Sequence, residues 1–318
     1  MNLWEAYPEV NNELKKVEDY MKKVIRSRKK VLTDISLDLI GAGGKRLRPA
    51  FVILGARCGK YDEEKIIPLG AAMELLHTAT LVHDDIIDDS RLRRGKTTVQ
   101  AKWGKDMAVY AGDYLFTKAF TILSDKTSFE HLNKVAHGVR IICEGEIDQY
   151  EIKYDVNISV MKYLKRIYRK TAVLFSMSTL TGAYEAKCKR QTLNALGKFA
   201  ISYGMAFQIR DDLLDYTSTE KIEGKPMGND IKQGVYTLPL LFALQHMEYK
   251  DEIKKLLSLK DKINAKEIEK IIRLVKETNA LESTKELKDK YVKKALEALD
   301  NLEDKDHKSI FGDLVNML

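Results

Sequence analysis

Proline is scarce in this chain of 318 residues, with five in all: Pro8, Pro49, Pro68, Pro226 and Pro239. Long stretches are therefore free of the residue that most often breaks a helix. Cysteine is rarer still. Cys58, Cys143 and Cys188 stand far apart and form no CxxC pair. An odd, dispersed set excludes a disulfide framework and a cysteine-ligated zinc site, and it fits free thiols in a reducing compartment. No uninterrupted run of about 18 apolar residues occurs, so no membrane-spanning segment is expected. The opening MNLWEAYPEV has no apolar core of the kind a signal peptide needs. The cytoplasm is the expected compartment. Alternating strand patterns are also nearly absent.

Charge is not concentrated. The 54 basic residues exceed the 47 acidic ones by a net +7, spread along the chain rather than gathered in an aromatic-laced basic stripe. That distribution argues against nucleic acid as a partner and suits small anionic substrates. With 44% hydrophobic residues and 15 tyrosines, the chain has enough apolar material to fold.

What is present is helical spacing. In LNALGKFAISYGMAFQIRDDLLDY, Leu196, Phe199, Ala200, Tyr203 and Phe207 recur at three- and four-residue steps. The expectation is an all-α fold of roughly ten to fourteen helices, a single large bundle around a central cavity, spanning residues 1–318 as one domain. Pro49 and Pro68 are each expected in the first turn of a helix. SDKTS (124–128) and TSTEKIEGKPMGND (217–230) read as loops. From Lys250 onward a Lys/Glu-rich amphipathic pattern predicts outer helices.

Against this background one stretch stands out. LVHDDIIDDSRLRRGKTT (81–98) places Asp84, Asp85, Asp88 and Asp89 at the end of an apolar run, followed by Arg91, Arg93, Arg94 and Lys96. On a helix, Asp84 with Asp88, and Asp85 with Asp89, share faces. Carboxylates in an apolar setting must pair, protonate or bind a metal. The pattern returns in QIRDDLLDYT (208–217) with Asp211, Asp212 and Asp215. One such cluster is weak evidence; two at the ends of apolar helices point to a site. If the two helices face each other, their carboxylate oxygens suit a hard cation, Mg²⁺ above all where phosphate completes its shell. A phosphorylated ligand needs further cations. Lys45, Arg46 and Arg48 follow the Gly43-Gly44 pair, Lys170 and Thr171 lie inside an apolar helix, and Lys225 sits on a glycine-bearing loop. A buried lysine is costly without a partner.

Other motifs fail. The GKT of RRGKTT lacks the earlier glycine of a phosphate-cradling loop, since Ser90 stands there. Glu74 and His77 form one ExxH, but no second completes a di-iron set. The His83-Asp84 pair hints at a metal phosphohydrolase, a group that needs further helical histidines.

Five ordered segments, GGKRLRP, ELLHTATLVHDDIIDDSRLRRGKTT, RKTAVLF, GMAFQIRDDLLDY and GKPMGNDIKQGVYTLP, make roughly residues 15–318 resemble a trans-polyprenyl diphosphate synthase of the farnesyl, geranylgeranyl or heptaprenyl type. The resemblance implies a prenyltransferase that joins isopentenyl diphosphate to an allylic diphosphate. It implies that Asp84, Asp85, Asp88, Asp211, Asp212 and Asp215 hold about three Mg²⁺ ions on the allylic diphosphate. Arg93, Lys170, Thr171, Gln208 and Lys225 would complete that grip. Isopentenyl diphosphate would bind through Lys45, Arg48, His77 and Arg94. Val235 departs from several short-chain members, which carry a lysine after the last motif's glycine. The resemblance implies that a bulky aromatic residue near the first motif stops the chain early. Ala79 and Thr80, five and four residues before Asp84, are small, which favours products of geranylgeranyl length or longer. A homodimer is expected, or a pair with a small unlike subunit. A class I terpene cyclase and a non-catalytic helical subunit of a synthase are the alternative readings.

Overall fold

The computed structural model describes residues 3–93, 95–217, 227–300, 302 and 305–318. Among the described residues the fold is all-α, relieved by one two-stranded hairpin. The helices that matter below are α1 (Pro8–Val24), α2 (Lys30–Gly41), α3 (Leu47–Arg57), α4 (Glu63–Ile87), α5 (Val99–Trp103), α6 (Lys105–Lys126), α7 (Phe129–Glu151), α8 (Val160–Ile167), α9 (Val173–Glu185) and α10 (Arg190–Thr217). The described residues hold sixteen α-helical segments, above the expected range. Three of them, Val99–Trp103, Asn229–Lys232 and Leu238–Ala243, have six residues or fewer and are too short to show a helical period.

The chain divides into two compact units. One comprises Met1–Gly138, Leu174–Gly197 and Asn301–Lys308; the other comprises Val139–Val173, Lys198–Asp300 and Ser309–Leu318. In the first unit α4 packs against α1, α3 and α6. α4 is long and apolar enough to cross a membrane by length and composition, yet 72% of its apolar window is buried inside the protein. It is a core helix. Val82 on α4 packs with Ile35, Val99, Ala108 and Ala111. The backbones of α3 and α9 come so close that a Cβ on Gly182 would overlap the carbonyl oxygen of Val52. Only glycine fits that crossing.

The second unit is built on buried Tyr163, Ile209, Tyr216, Tyr236, Leu238 and Ile271. Its helix Ala265–Glu277 buries Ile268, Ile271, Ile272, Leu274 and Val275 along one stripe, and a reciprocal capping box between Asn264 and Glu267 opens it. This is the amphipathic pattern that the sequence predicts after Lys250.

Three local expectations are corrected, and one element is new. Pro68 does not open its helix. α4 starts five residues earlier, because Asp62 accepts a hydrogen bond from the Glu64 N–H at 3.1 Å and Glu63 and Glu64 complement the helix dipole. The carbonyl that Pro68 leaves without a helical donor belongs to the exposed residue Glu64, within reach of water. α4 ends at Ile87, and Asp89 takes a left-handed φ of +47°, so Asp85 and Asp89 share no helix face. Arg93 lies in a hairpin, with Leu92–Arg93 paired antiparallel to Lys96–Thr97, strands of two residues that leave no alternation to read. The SDKTS loop shrinks to Thr127 and Ser128, since α6 runs on to Lys126. Pro49 does stand in the first turn of α3.

Candidate active site

In the first unit, α4 carries the first acidic motif at its C-terminal end. Asp84 and Asp88 are half-buried, with Asp88 as the helix C-cap, and Asp85 is buried. The chain then reverses through the hairpin, with Gly95 at φ +74°, and Arg93 returns to the helix end. The Arg93 Nε donates to Asp85 Oδ1 at 2.8 Å. Gln100 on α5 fastens the turn: its Nε2 donates to the carbonyls of Asp85 at 2.5 Å and Ser90 at 2.9 Å. Lys105 pairs with Asp89 at 2.9 Å. Sequence spacing names Arg93 but gives no hint of Gln100. Arg94 lies outside the described residues.

Further along the same unit, Lys45 is exposed and Arg48 is half-buried with its guanidinium over the Phe175 ring, 4.4 Å from the centroid. His77 is half-buried on α4, seven residues before Asp84. Ala79 is fully buried and Thr80 is half-buried, its Oγ1 donating to the His77 carbonyl at 2.7 Å. Glu74, half of the ExxH, holds no metal partner pattern. It pairs with Arg46 at 2.8 Å, both side chains being buried.

In the second unit the helix that begins as α8 passes through a π-helical turn, Tyr168–Ala172, before α9. The Val173 N–H reaches the Tyr168 carbonyl, a five-residue step. That turn carries Lys170 and Thr171. The partner that a lysine in an apolar helix requires is Glu146 on α7, 2.7 Å from Lys170 Nζ. Thr171 Oγ1 donates to Gln208 Oε1 at 2.7 Å, and Gln208 Nε2 donates to Asp212 Oδ1 at 2.9 Å. Tyr163, which sequence reading passes over, donates its hydroxyl to Asp212 Oδ2 at 2.5 Å. Three expected site residues, Thr171, Gln208 and Asp212, thus form one chain of hydrogen bonds. Asp211 is exposed and Asp215 half-buried, four residues apart on α10 and so on one face. Lys225 lies outside the described residues.

The electrostatics of the second motif follow from burial. Desolvation pushes the Asp212 carboxyl up to about 7, and the nearby Asp230 carboxylate adds to the shift. Burial likewise lifts the Tyr163 phenol well above its usual range, so it keeps its proton and remains a donor. In both motifs the second aspartate is buried and bonded to the protein, Asp85 by Arg93 and Asp212 by Tyr163 and Gln208. Neither motif is a solvated charge patch.

The polyprenyl synthetase family model matches residues 29–275. The chain belongs to the polyprenyl synthetase family. As a polyprenyl synthetase it is a trans-polyprenyl diphosphate synthase, a prenyltransferase. This polyprenyl synthetase is similar to heptaprenyl diphosphate synthase component 2 of Geobacillus stearothermophilus, with 41% identity over 253 residues, 80% of this chain and 79% of the relative. It is similar in structure to heptaprenyl diphosphate synthase of Staphylococcus aureus, with a TM-score of 0.91, 37% identity and 96% of each chain covered. It is also similar to geranylgeranyl pyrophosphate synthase of Lactobacillus brevis, with a TM-score of 0.93, 32% identity, and 99% and 98% of the two chains covered. The polyprenyl synthetase has the all-α isoprenoid synthase fold, as its sequence motifs imply.

Among the described residues, no three His, Cys, Asp or Glu side chains lie close enough together to be counted as a ready-made metal site. The donor chemistry still fits a hard cation. The two motifs offer carboxylate oxygens without a thiol, and the buried Asp212 stands beside a second acid, Asp230. A divalent ion relieves that kind of repulsion, whereas soft metals prefer other ligands.

Proposed function

We propose that this chain is a Mg²⁺-dependent synthase that condenses isopentenyl diphosphate with an allylic diphosphate, and that its all-trans product is of geranylgeranyl length or longer, the heptaprenyl type included. The observation that carries the reading is the fixed state of both acidic motifs: each has its second aspartate buried and held by protein donors. Residues 1–318 act as one catalytic domain in this reading. Asp84, Asp85, Asp88, Asp211, Asp212 and Asp215 would hold the ions, about three of them. Asp85 and Asp212 steady the two ends while Asp84, Asp88, Asp211 and Asp215 present oxygen. When bound, Mg²⁺ would neutralise the diphosphate that leaves as the allylic C–O bond breaks.

The chain's own residues do the rest. Arg93, Lys170, Thr171, Gln208 and Lys225 orient the allylic diphosphate and receive its charge as it departs. The Glu146 carboxylate holds the Lys170 ammonium in place until substrate arrives. Lys45, Arg48, His77 and Arg94 hold isopentenyl diphosphate so that its double bond meets the allylic carbon. The proton lost after bond formation goes to the departed diphosphate, so no protein nucleophile is required. Ala79, small and buried on α4, is the residue that would set the length of the growing chain in this reading.

The word "component" in the Geobacillus relative's name supports a partner subunit for this chain as well, either a second copy or a small unlike protein. The cytoplasm is the compartment that we propose. One assay tests the whole reading. Purified chain is incubated with labelled isopentenyl diphosphate, each allylic primer in turn, and Mg²⁺, and the extracted products are sized. Elongation that a chelator and Asp211→Ala both abolish is expected. Cyclic hydrocarbon without elongation would favour the cyclase reading, and robust elongation in chelator would remove the metal from the proposal.

A further inference from the structure

The segment between α2 and α3 carries two cations assigned above to isopentenyl diphosphate, Lys45 and Arg48. Between them stands Arg46, a third cation of the same segment, and the structure gives it a different situation. Lys45 is exposed and Arg48 half-buried, whereas Arg46 is only 9% exposed. Its guanidinium is engaged at all three nitrogens: Nε donates to Glu18 Oε1 at 2.7 Å, Nη1 to Glu74 Oε1 at 2.8 Å and Nη2 to the Ile40 carbonyl at 2.7 Å. These partners come from α1, α4 and the C-terminal end of α2. The neighbouring Lys45 carbonyl accepts from the indole N–H of buried Trp4 at 2.8 Å.

The backbone here is unusual. Gly43, Gly44 and Arg46 have φ of +77°, +155° and +49°. Arg46 is the N-cap of α3, and its side chain gives no capping bond. A left-handed conformation is unfavourable at a residue with a Cβ, and it persists only where the surroundings enforce it. The enforcing contacts are the three donors of Arg46. Glu74 is 5% exposed and lies three residues before His77 on the same face of α4. One buried ion pair therefore ties the Lys45–Arg48 turn to the stretch of α4 that holds His77.

We propose that Arg46 is a positioning residue: with Glu74 as its main anchor it fixes the left-handed turn that sets Lys45 and Arg48, together with His77, at the spacing an isopentenyl diphosphate requires. The proposal rests on the assignment of Lys45, Arg48 and His77 to that substrate. Arg46 itself touches no substrate. Its absence lets the turn relax, and a displacement of about 1 Å in a binding group costs up to about a hundredfold.

The test measures KM for isopentenyl diphosphate and for the allylic primer separately, binding of isopentenyl diphosphate by calorimetry, and thermal melting, for Arg46→Gln, Arg46→Lys, Glu74→Gln and Lys45→Ala. Both Arg46→Gln and Glu74→Gln are expected to raise KM and the calorimetric Kd for isopentenyl diphosphate about tenfold or more, with the allylic KM within about twofold. Glu74→Gln is the discriminating variant, since this buried side chain reaches the substrate only through Arg46. If Arg46→Gln weakens isopentenyl diphosphate binding while Glu74→Gln does not, Arg46 acts on the substrate directly and the proposal is overturned. A lowered melting temperature with both KM values unchanged reduces the pair to a structural role and overturns it too. Should Arg46→Gln fail to fold, Arg46→Lys, which keeps the charge but loses the fork, and Glu74→Gln decide by the same criteria. Failure of the underlying assignment looks different: Lys45→Ala would then leave KM for isopentenyl diphosphate untouched.

Discussion

Tyr163→Phe removes one oxygen atom from the second acidic motif and little else. The ring stays, fully buried in the core of its unit, and the Arg166 guanidinium stays over its face at 5.3 Å. What is lost is the 2.5 Å donor to Asp212, a carboxyl that is 3% exposed and takes its other side-chain hydrogen bond, among the described residues, from Gln208. A hydrogen bond to a charged group contributes about 1.5–3 kcal/mol, and a buried acceptor that loses its donor bears the full desolvation cost. At a pH near 8, above the value of about 7 to which burial lifts Asp212, that loss falls on an ionised group. The expected destabilisation is therefore about 2 kcal/mol, confined to the unit that holds α8 and α10. Two units need not unfold together, so amide exchange on α8 and α10 is the assay of choice, with a cycle through Asp212→Asn to isolate the coupling. The Mg²⁺ concentration giving half-maximal activity should rise in parallel as the motif loosens. A loss below about 0.5 kcal/mol, the usual range of an exposed substitution, would refute the view that this bond holds the motif.

Gly182→Ala should be severely destabilising, by about 3 kcal/mol or more, because the new Cβ meets the Val52 carbonyl oxygen rather than a side chain that can swing away; thermal melting and expression level check it. His131 is buried, its Nε2 3.1 Å from Thr181 Oγ1, and desolvation lowers its pKa, with Lys134 and Lys65 adding to the lowering and Glu185 and Glu130 opposing it. The unfolded chain takes up a proton near pH 6.5 that the folded chain resists, so stability is full above that pH and falls as pH drops below it, by at most about 1.4 kcal/mol per unit. Chemical denaturation between pH 7.5 and 5.5, a range of about 1 either side of that value, should show this slope, and His131→Gln should flatten it. Ala79→Phe should shorten the longest product, read by chromatography of the extracted chains. Ala79 lies five residues before Asp84, about 7.5 Å along α4, and an unchanged product profile would mean that it lines no product path.

Much of this was readable from spacing alone. The helical period and near absence of strand alternation gave the fold class, and Pro49 marked the first turn of α3. The second aspartate motif raised the first from a charge cluster to half of a site. The resemblance carried by five ordered segments supplied the reaction. What stayed hidden were partners set by tertiary packing. Tyr163 lies 49 residues from Asp212, and Glu146 lies 24 from Lys170. Local periodicity carries no information about either pair. Lys170 could be read as needing a partner, because a buried lysine is costly, but not which acid supplies it. Pro68 misled because proline is commonest in a first turn, whereas Asp62 and the acids after it had already started the helix. Asp89 misled because the ladder of α4 stops at Ile87, and no residue near it signals that end as a glycine would.

The greasy character of α4 bears on how the polypeptide is made. A 25-residue segment long and apolar enough to enter a bilayer is safe only once something covers it, and three helices packed on it, α1, α3 and α6, lie within the first 126 residues. At about 5–20 residues per second, the last of them leaves the ribosome within seconds of α4 itself. The order of the gene's codons thus supplies three neighbours of this long apolar helix before the remainder of the enzyme exists, so aggregation during biosynthesis should respond strongly to changes in α6.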